Sequence, residues 1–410
     1  MSTQLHADIS EDTVRQISET LDEPEWLLET RLEALAALDD LEYPPVIQTP
    51  GRRWTNLEDL DYEALVEPLS QTEEKDQVGP DDVTVLPFED ALEAVPELLE
   101  NYFGATVDPQ ENRLTALSTA LFTTGTVVYV PAGVDAEDVT IRTTMNGHSL
   151  FNYTLVVTED NASVTILERQ ESGTVERASD ESVDDERYYS GIVEVVAGEN
   201  SYVQYGSLQE FDERTYNYTL KRGETEQYAT LEWFEGNLGS RLTKTEVSTL
   251  LGADNAETKI VGAFFGHNDQ HFDLDSKVWH RGEHTTADLV TRGVIDDEAR
   301  SVYEGTQDVG RDAWDTSSYQ RENTLMLSDQ SEADASPKLI INNHDTEASH
   351  SATVGQIDRE DLFYMVTRGV PEQTAKNMLV EGFFVPVLEE VDVEELRDDL
   401  QTGIAARLKD

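Results

Sequence analysis

Eight histidines and no cysteine set the limits on what this 410-residue chain can ligate. Without a thiolate it can neither hold a sulfur-ligated metal nor accept sulfur as a persulfide, and disulfides are equally excluded. Imidazole remains as a metal ligand. His350 stands in the short β-type segment Ala348-Ser349-His350-Ser351-Ala352-Thr353-Val354-Gly355. Strand alternation puts His350, Ala352 and Val354 on one face and Ser349, Ser351 and Thr353 on the other. His344 and Glu347 lie in the same stretch and are weaker candidates to assist. A lone strand histidine is ordinarily structural, so His350 gains a chemical role only from its context. His267, His271, His280 and His284 form two i, i+4 pairs, a spacing that suits zinc on a helix and shares a face in a strand. No His-Glu-x-x-His motif accompanies them. Ladder or surface roles are the expectation there, with metal binding left open. A Walker-type glycine-rich loop and a Gly-x-Ser-x-Gly elbow are both absent, so ATP use would belong to a partner.

These side chains sit in a chain of extreme charge. It carries 85 acidic and 29 basic residues, a formal net charge of −56. The acids are spread along the whole length, and the field would repel nucleic-acid phosphates and anionic lipid. Five Trp, 12 Phe and 15 Tyr argue for a folded protein over a disordered one. Folded chains of this charge are expected where salt screens self-repulsion over about 3 Å at 1 M, as in halophilic archaea. No run of about 18 apolar residues exists and the first residues have no signal-peptide pattern, so the expectation is a cytoplasmic protein without membrane spans.

Three regions position the candidate residues. Residues 1–105 read as helical: Trp26, Leu27, Leu32, Leu35 and Leu38 recur at helical spacing, Pro24 suits a first turn, and a second helix falls near Phe88–Tyr102. The polar stretch Gln71–Asp82 between them reads as a loop. Residues 106–356 change to short β runs such as Val127–Val130, Thr154–Val157, Ser163–Leu167, Ile192–Val196 and Lys259–Phe265. Turn-rich joints separate them at Glu159–Asn161, Gly198–Asn200, Arg222–Glu224 and Gly252–Asn255, an irregular repeat of about 25 to 40 residues. The polar stretch 171–190 reads as a loop or insertion. No helical patterns intervene, which argues against an α/β fold and permits a sandwich, a barrel or a β-helix. Residues 357–410 are helical again. Asp358 caps a first helix, Gly369 ends it, and Pro371 suits N1 of the next. Met378, Leu379, Phe383, Val387 and Leu388 form an apolar stripe on that next helix. A last helix runs from about Val393 to Leu408.

The His350 segment, followed at once by Gln356-Ile357-Asp358-Arg359-Glu360-Asp361-Leu362-Phe363-Tyr364 and Thr367-Arg368-Gly369, closely resembles the C-terminal signature of the SufB/SufD family of iron–sulfur cluster assembly proteins. In that family the first segment usually reads Cys-Ser-His-Gly-Ala-Thr-Val-Gly. Here Ala348 and Ser351 replace the Cys and the first Gly, and the histidine is kept. Glu23-Pro24-Glu25-Trp26-Leu27, with Arg31 and Ala34, resembles the family's N-terminal helix. The tract from Gln270 through Ser328, leading to Pro337–Ile341 after an acidic-Ala-Pro turn, resembles its β region and reads as the structural support of His350.

The resemblance implies a mainly β chain, a right-handed parallel β-helix flanked by N-terminal and C-terminal helical regions. It also implies a non-catalytic scaffold role. The missing cysteine favours the SufD type over the SufB type, with His350 at the SufB–SufD interface and a transient iron–sulfur cluster shared with the SufB-like partner. A SufC-like ABC ATPase would dock on the C-terminal helices, with Met378, Leu379, Phe383 and Val387 as expected contacts. A reduced flavin belongs to the family's full complex, but no residue here identifies its site. A homodimer is an open alternative for the isolated chain. The rival reading is a β-helix carbohydrate-active enzyme, for which carboxylates are abundant.

Overall fold

The computed structural model describes residues 9–45, 57–69, 71, 73–173 and 186–408. The chain opens with α1 (Glu11–Thr20), α2 (Glu25–Ala37) and the short α3 (Tyr62–Leu65). Then come β1 (Glu73–Val78), β2 (Thr84–Pro87), α4 (Phe88–Ala94), α5 (Pro96–Tyr102) and α6 (Arg113–Leu121). Sixteen strands follow with no helix among the described residues between them. The first eight are β3 (Thr124–Val130), β4 (Asp135–Met145), β5 (Ser149–Thr158), β6 (Ser163–Ser172), β7 (Arg187–Ala197), β8 (Tyr202–Glu210), β9 (Thr215–Thr225) and β10 (Thr230–Asn237). The second eight are β11 (Leu242–Leu251), β12 (Glu257–Gly266), β13 (His271–His280), β14 (Thr286–Ile295), β15 (Arg300–Val309), β16 (Thr316–Met326), β17 (Glu332–Ile341) and β18 (Thr346–Gln356). Three helices close the chain: α7 (Arg359–Thr367), α8 (Glu372–Leu388) and α9 (Glu394–Arg407).

Strands two apart in sequence pair in parallel. The odd strands β3 to β17 form one sheet and the even strands β4 to β18 the other. Each coil therefore contributes one strand to each sheet. This is a two-sided parallel β-solenoid of about eight coils, which resolves the choice among sandwich, barrel and β-helix. Left-handed backbone recurs at equivalent turns: Asn200, Tyr228, Asn255, His284 and Asp315 all have φ between 53° and 61°. These turns are stacked, Asn200 N donating to Gln227 O, Tyr228 N to Asp254 O and Asn255 N to Glu283 O. Asn and Asp tolerate this region best, which is why they mark most of the corners. The coil is thus 27 to 31 residues long from Asn200 onward. The apparent irregularity of the repeat comes from one enlarged coil between Asn161 and Asn200.

Both outer faces are covered. Helices α1, α2 and α4–α6 pack on the odd-strand sheet around Leu27, Phe88, Leu99, Leu117, Phe122 and Tyr153. Helices α8 and α9 lie on the even-strand sheet, burying Val380, Phe384, Val387, Leu396, Leu400 and Ile404 against Phe234, Val261, Phe265 and Val290. Gly236 lets α9 approach, since a Cβ there would stand 2.4 Å from Leu400 Cδ2.

Several local expectations change. Gln71–Asp82 is not a loop throughout, because β1 within it pairs antiparallel with β4. Its charged side chains hid it, yet such residues suit an edge strand. A sixth helix, α6, lies inside the range read as β. Asn112 caps it by accepting from Leu114 N at 2.9 Å and Thr115 N at 3.0 Å. Arg222-Gly223-Glu224 is not a joint but part of β9. Pro337 sits within β17, tolerated because that strand has a neighbour on one side only. In the polar stretch 171–190, Glu171 and Ser172 end β6 and Arg187 starts β7, while 174–185 lie outside the described residues. Pro371 is the N-cap of α8 rather than its first helical residue.

Candidate functional site

The two ends of the solenoid differ. At the N-terminal end the first coil is closed by β1 and β2, which pair antiparallel with β4 and β3. At the C-terminal end β17 and β18 each have a strand neighbour on one side only. An uncapped solenoid end leaves both backbone hydrogen-bonding groups and lumen side chains facing outward. Ile341 of β17, on the lumen parity beside buried Val309, is accordingly 41% exposed, and its outward-facing neighbour Ile340 is 46% exposed.

Strand β16, one coil below, fixes which side chains enter the lumen. Thr316, Ser318, Gln320, Glu322 and Thr324 are buried in strict alternation with more exposed neighbours. Gln320 reaches across towards β15, where a Cβ added at Gly305 would lie 1.7 Å from its Nε2. In the parallel register Gln320 lies beside His350 and Glu322 beside Ala352. His350 is therefore on the lumen face of the last coil, and it is exposed because no coil covers it. The flanking lumen positions on β18 are Ala348 and Ala352; on β17 the lumen positions are Ala333, Ala335, Pro337, Leu339 and Ile341, with Pro337 across from His350 as Gly305 is from Gln320 one coil below.

Beneath His350 lie polar groups that the protein does not satisfy. Glu322 is 1% exposed. Its Oε1 accepts from Thr324 Oγ1 at 2.5 Å, and the backbone N–H of Thr353 also bears on the carboxyl, while Oε2 has no hydrogen bond of good geometry. Burial pushes its carboxyl up to about 7. The side-chain amide of Gln320, equally buried, has a partner on neither atom. Charged groups deeper in the lumen are paired: Lys221 Nζ lies 3.0 Å from both Glu235 oxygens and 2.6 Å from Ser207 Oγ.

The other sequence candidates do not join this cluster. Glu347 is on β18 with the opposite parity, aligned with Ser317, so it faces outward. His344 is exposed in the turn before β18. The four paired histidines are dispersed. His267 Nδ1 bonds Gln270 Oε1 at 2.8 Å in a turn, and His284 Nδ1 meets Asp315 Oδ2 at 2.8 Å in another. His271 and His280 stand at opposite ends of β13. His280 bonds Thr285 Oγ1 at 2.8 Å inside the fold. Among the described residues, no three histidine, aspartate or glutamate side chains converge to hold a metal ion. The open end supplies at most part of a coordination shell.

The C-terminal helices also sort by burial. Val387 is fully buried against the solenoid, and Phe383 is half-buried with Arg292 over its ring. Of the expected docking residues, Met378 is 50% exposed and Leu379 only partly so. Val387 is thus removed from the accessible surface, because α8 turns that stripe onto the even-strand sheet. Helix α7 is the more open surface. It buries no residue, and Phe363 and Tyr364 are 70% and 59% exposed. Both aromatic residues were visible in the Leu-Phe-Tyr run, but a motif does not say which of its members are exposed. No helix among the described residues is long and apolar enough to cross a membrane.

Comparison with known proteins decides the lineage. Residues 141–383 match the family model for the SUF system FeS cluster assembly, SufBD core domain, and residues 56–141 match the SufBD protein N-terminal region. The chain belongs to the SufBD family. It is 28% identical to the iron–sulfur cluster assembly protein SufD of Bacillus subtilis, over 98% of each chain. It is also similar to iron–sulfur cluster assembly SufBD family proteins of Staphylococcus saprophyticus (26% identical) and Synechocystis (27% identical), each over 94% of this chain and 90% of the relative. The matched residues 56–383 take in the whole solenoid and helices α3 to α7, which leaves the carbohydrate-active alternative without support.

Proposed function

We propose that this chain is the SufD-type subunit of a SufB–SufC–SufD scaffold for iron–sulfur cluster assembly. It pairs with a SufB-like chain through the open end of its solenoid and docks a SufC-like ABC ATPase on its C-terminal helices. The observation that carries this reading is the uncapped last coil, with apolar Ile340 and Ile341 at the edge and His350 on its lumen face. A solenoid stack gains stability from each neighbouring coil, so a second solenoid end is the natural occupant. The role is non-catalytic, because ATP hydrolysis belongs to SufC. Lacking thiols, this chain offers iron a nitrogen ligand at His350, and the sulfur chemistry falls to the partner. The SufC-like dock uses Phe363 and Tyr364 of α7 together with Met378 of α8.

Co-expression of the three chains, with purification in molar salt, tests this reading. A single complex is expected. Ile340→Asp with Ile341→Asp should weaken pairing with the SufB-like chain by about tenfold or more, as loss of central apolar contacts does. Phe363→Asp with Tyr364→Ser should release the SufC-like chain alone. Undiminished assembly of both variants would place the interfaces elsewhere.

A further inference from the structure

We propose that Glu322 is a second iron-facing group of the open-end site, forming with His350 a thiol-free half-site for iron(II) that the partner chain completes. The inference rests on the scaffold reading above and deepens it by naming a further ligand. Its starting point is a carboxylate in the wrong kind of place for a structural residue. Glu322 is 1% exposed, accepts one side-chain hydrogen bond on Oε1 and has none of good geometry on Oε2. Leaving a buried carboxyl oxygen unpaired is destabilising, and an apolar residue would avoid that cost. The groups that share its row do not explain it. Along the solenoid axis Glu235, Gly262, Thr291, Glu322 and Ala352 are in register. Glu235 has its lysine, but Glu322 has no cation: above it stand the methyl group of Ala352 and the backbone N–H of Thr353, which also bears on the carboxyl.

That methyl group leaves space. Ala352 and Ala348 flank His350, and Ala333 and Ala335 line the facing strand. Above Glu322 the last coil is lined by alanines, with the imidazole at the rim across from Pro337 and the carboxylate at the floor. Adjacent strands are about 4.8 Å apart and successive same-face residues about 6.7 Å, so the two Cβ atoms are separated by about 8 Å. Both side chains are long enough to reach one ion between them. Gln320, directly beneath His350 in register, is a second buried polar group at the floor whose amide has no partner. Imidazole nitrogen with carboxylate oxygen is a donor set suited to iron(II). Since no third side-chain ligand converges among the described residues, the remaining positions are open to water and to groups from across the open edge.

Iron(II) alone, added anaerobically to the assembled three-chain complex in molar salt, is the probe, read by equilibrium dialysis. Cobalt(II) absorption on the same samples reports the ligand field. Glu322→Gln and His350→Ala should each weaken iron binding by about tenfold or more and alter the cobalt spectrum. Ala352→Leu, which fills the space above Glu322 without removing a ligand, should weaken binding in the same way. Its side chain is exposed, so it leaves folding intact. If Glu322→Gln and Ala352→Leu bind iron like wild type while His350→Ala does not, Glu322 is structural and the scaffold reading stands. If all three bind like wild type, both the half-site and the role of His350 are wrong. Should Glu322→Gln fail to assemble, Ala352→Leu decides alone: wild-type affinity overturns the half-site.

Discussion

Glu23 and Arg31 form an ion pair sealed from solvent, with Arg31 Nη2 2.5 Å from Glu23 Oε1 and both side chains 0% exposed. Arg31 Nη1 also donates to Thr119 O and Ala120 O at 3.2 Å, which satisfies the last carbonyls of α6, and its guanidinium lies over Phe122. The sequence marks both residues as part of a family-like helix without saying that they tie two helices together. Glu23→Ala should destabilise the fold by about 3–5 kcal/mol, since it strands a buried cation; a loss under about 1 kcal/mol in denaturant melts would contradict the geometry. His280 and His271 titrate differently from solvent-exposed histidine, because burial pushes both rings down to about 4. A folded-state value below the unfolded one of about 6.5 gives stability that is complete above pH 6.5 and is lost as pH falls towards 4. Glu322 runs the other way: its raised carboxyl stabilises the fold at low pH, and that contribution is lost as pH climbs towards about 7. His280→Gln should therefore make stability less sensitive to acid between pH 6.5 and 4. A slope unchanged from wild type would mean that His280 is not held neutral. His350 was legible because a motif names it. Glu322 was not, since Tyr319-Gln320-Arg321-Glu322-Asn323 reads as polar on both faces and nothing local tells which parity enters the lumen.

At the scale of elements, the strands of the solenoid were readable where both faces are apolar, as in β5 and β7, whose residues are nearly all buried. Strand β1 was not, because its charged side chains mimic a loop. The coil length was obscured by one enlarged coil, although the left-handed Asn and Asp corners carry it plainly once that coil is set aside. Helices α7 to α9 were placed well by Asp358, Gly369 and Pro371. Which face of α8 packs was not evident, because its apolar residues surround most of the helix. The C-terminal helices cover apolar surface of the even-strand sheet, and Arg169 holds α9 through Glu395 at 2.6 Å and through Asp399. Gly236→Val should push Leu400 out and loosen α9, at a cost of about 1–3 kcal/mol. Limited proteolysis should then cut near Val391–Val393 earlier than in wild type. Unchanged cleavage would mean that α9 has room to spare.

For the whole molecule, the −56 charge and the fold are separate facts that meet in one expectation. The solenoid buries its apolar residues in the lumen and under two helical caps, so the acids are left largely at the surface. Their mutual repulsion is screened over about 3 Å at 1 M salt but about 8 Å at 0.15 M. Melting temperature should fall as salt is lowered from molar to about 0.15 M, and a flat profile would remove the case for a salt-adapted chain. The asymmetry of the two solenoid ends is the feature that composition could not give. It follows from β1 and β2 closing one end while β17 and β18 leave the other unpaired. The central claim is that this open end, with His350 at its rim, is half of a cluster-building site. The most direct measurement is the iron and acid-labile sulfide content of the three-chain complex isolated without oxygen. His350→Ala, with His267→Ala as the matched control, should assemble normally yet retain only a small fraction of both elements, while the control stays at wild-type levels. A His350→Ala complex that assembles and carries the wild-type amount of iron and sulfide would contradict the account.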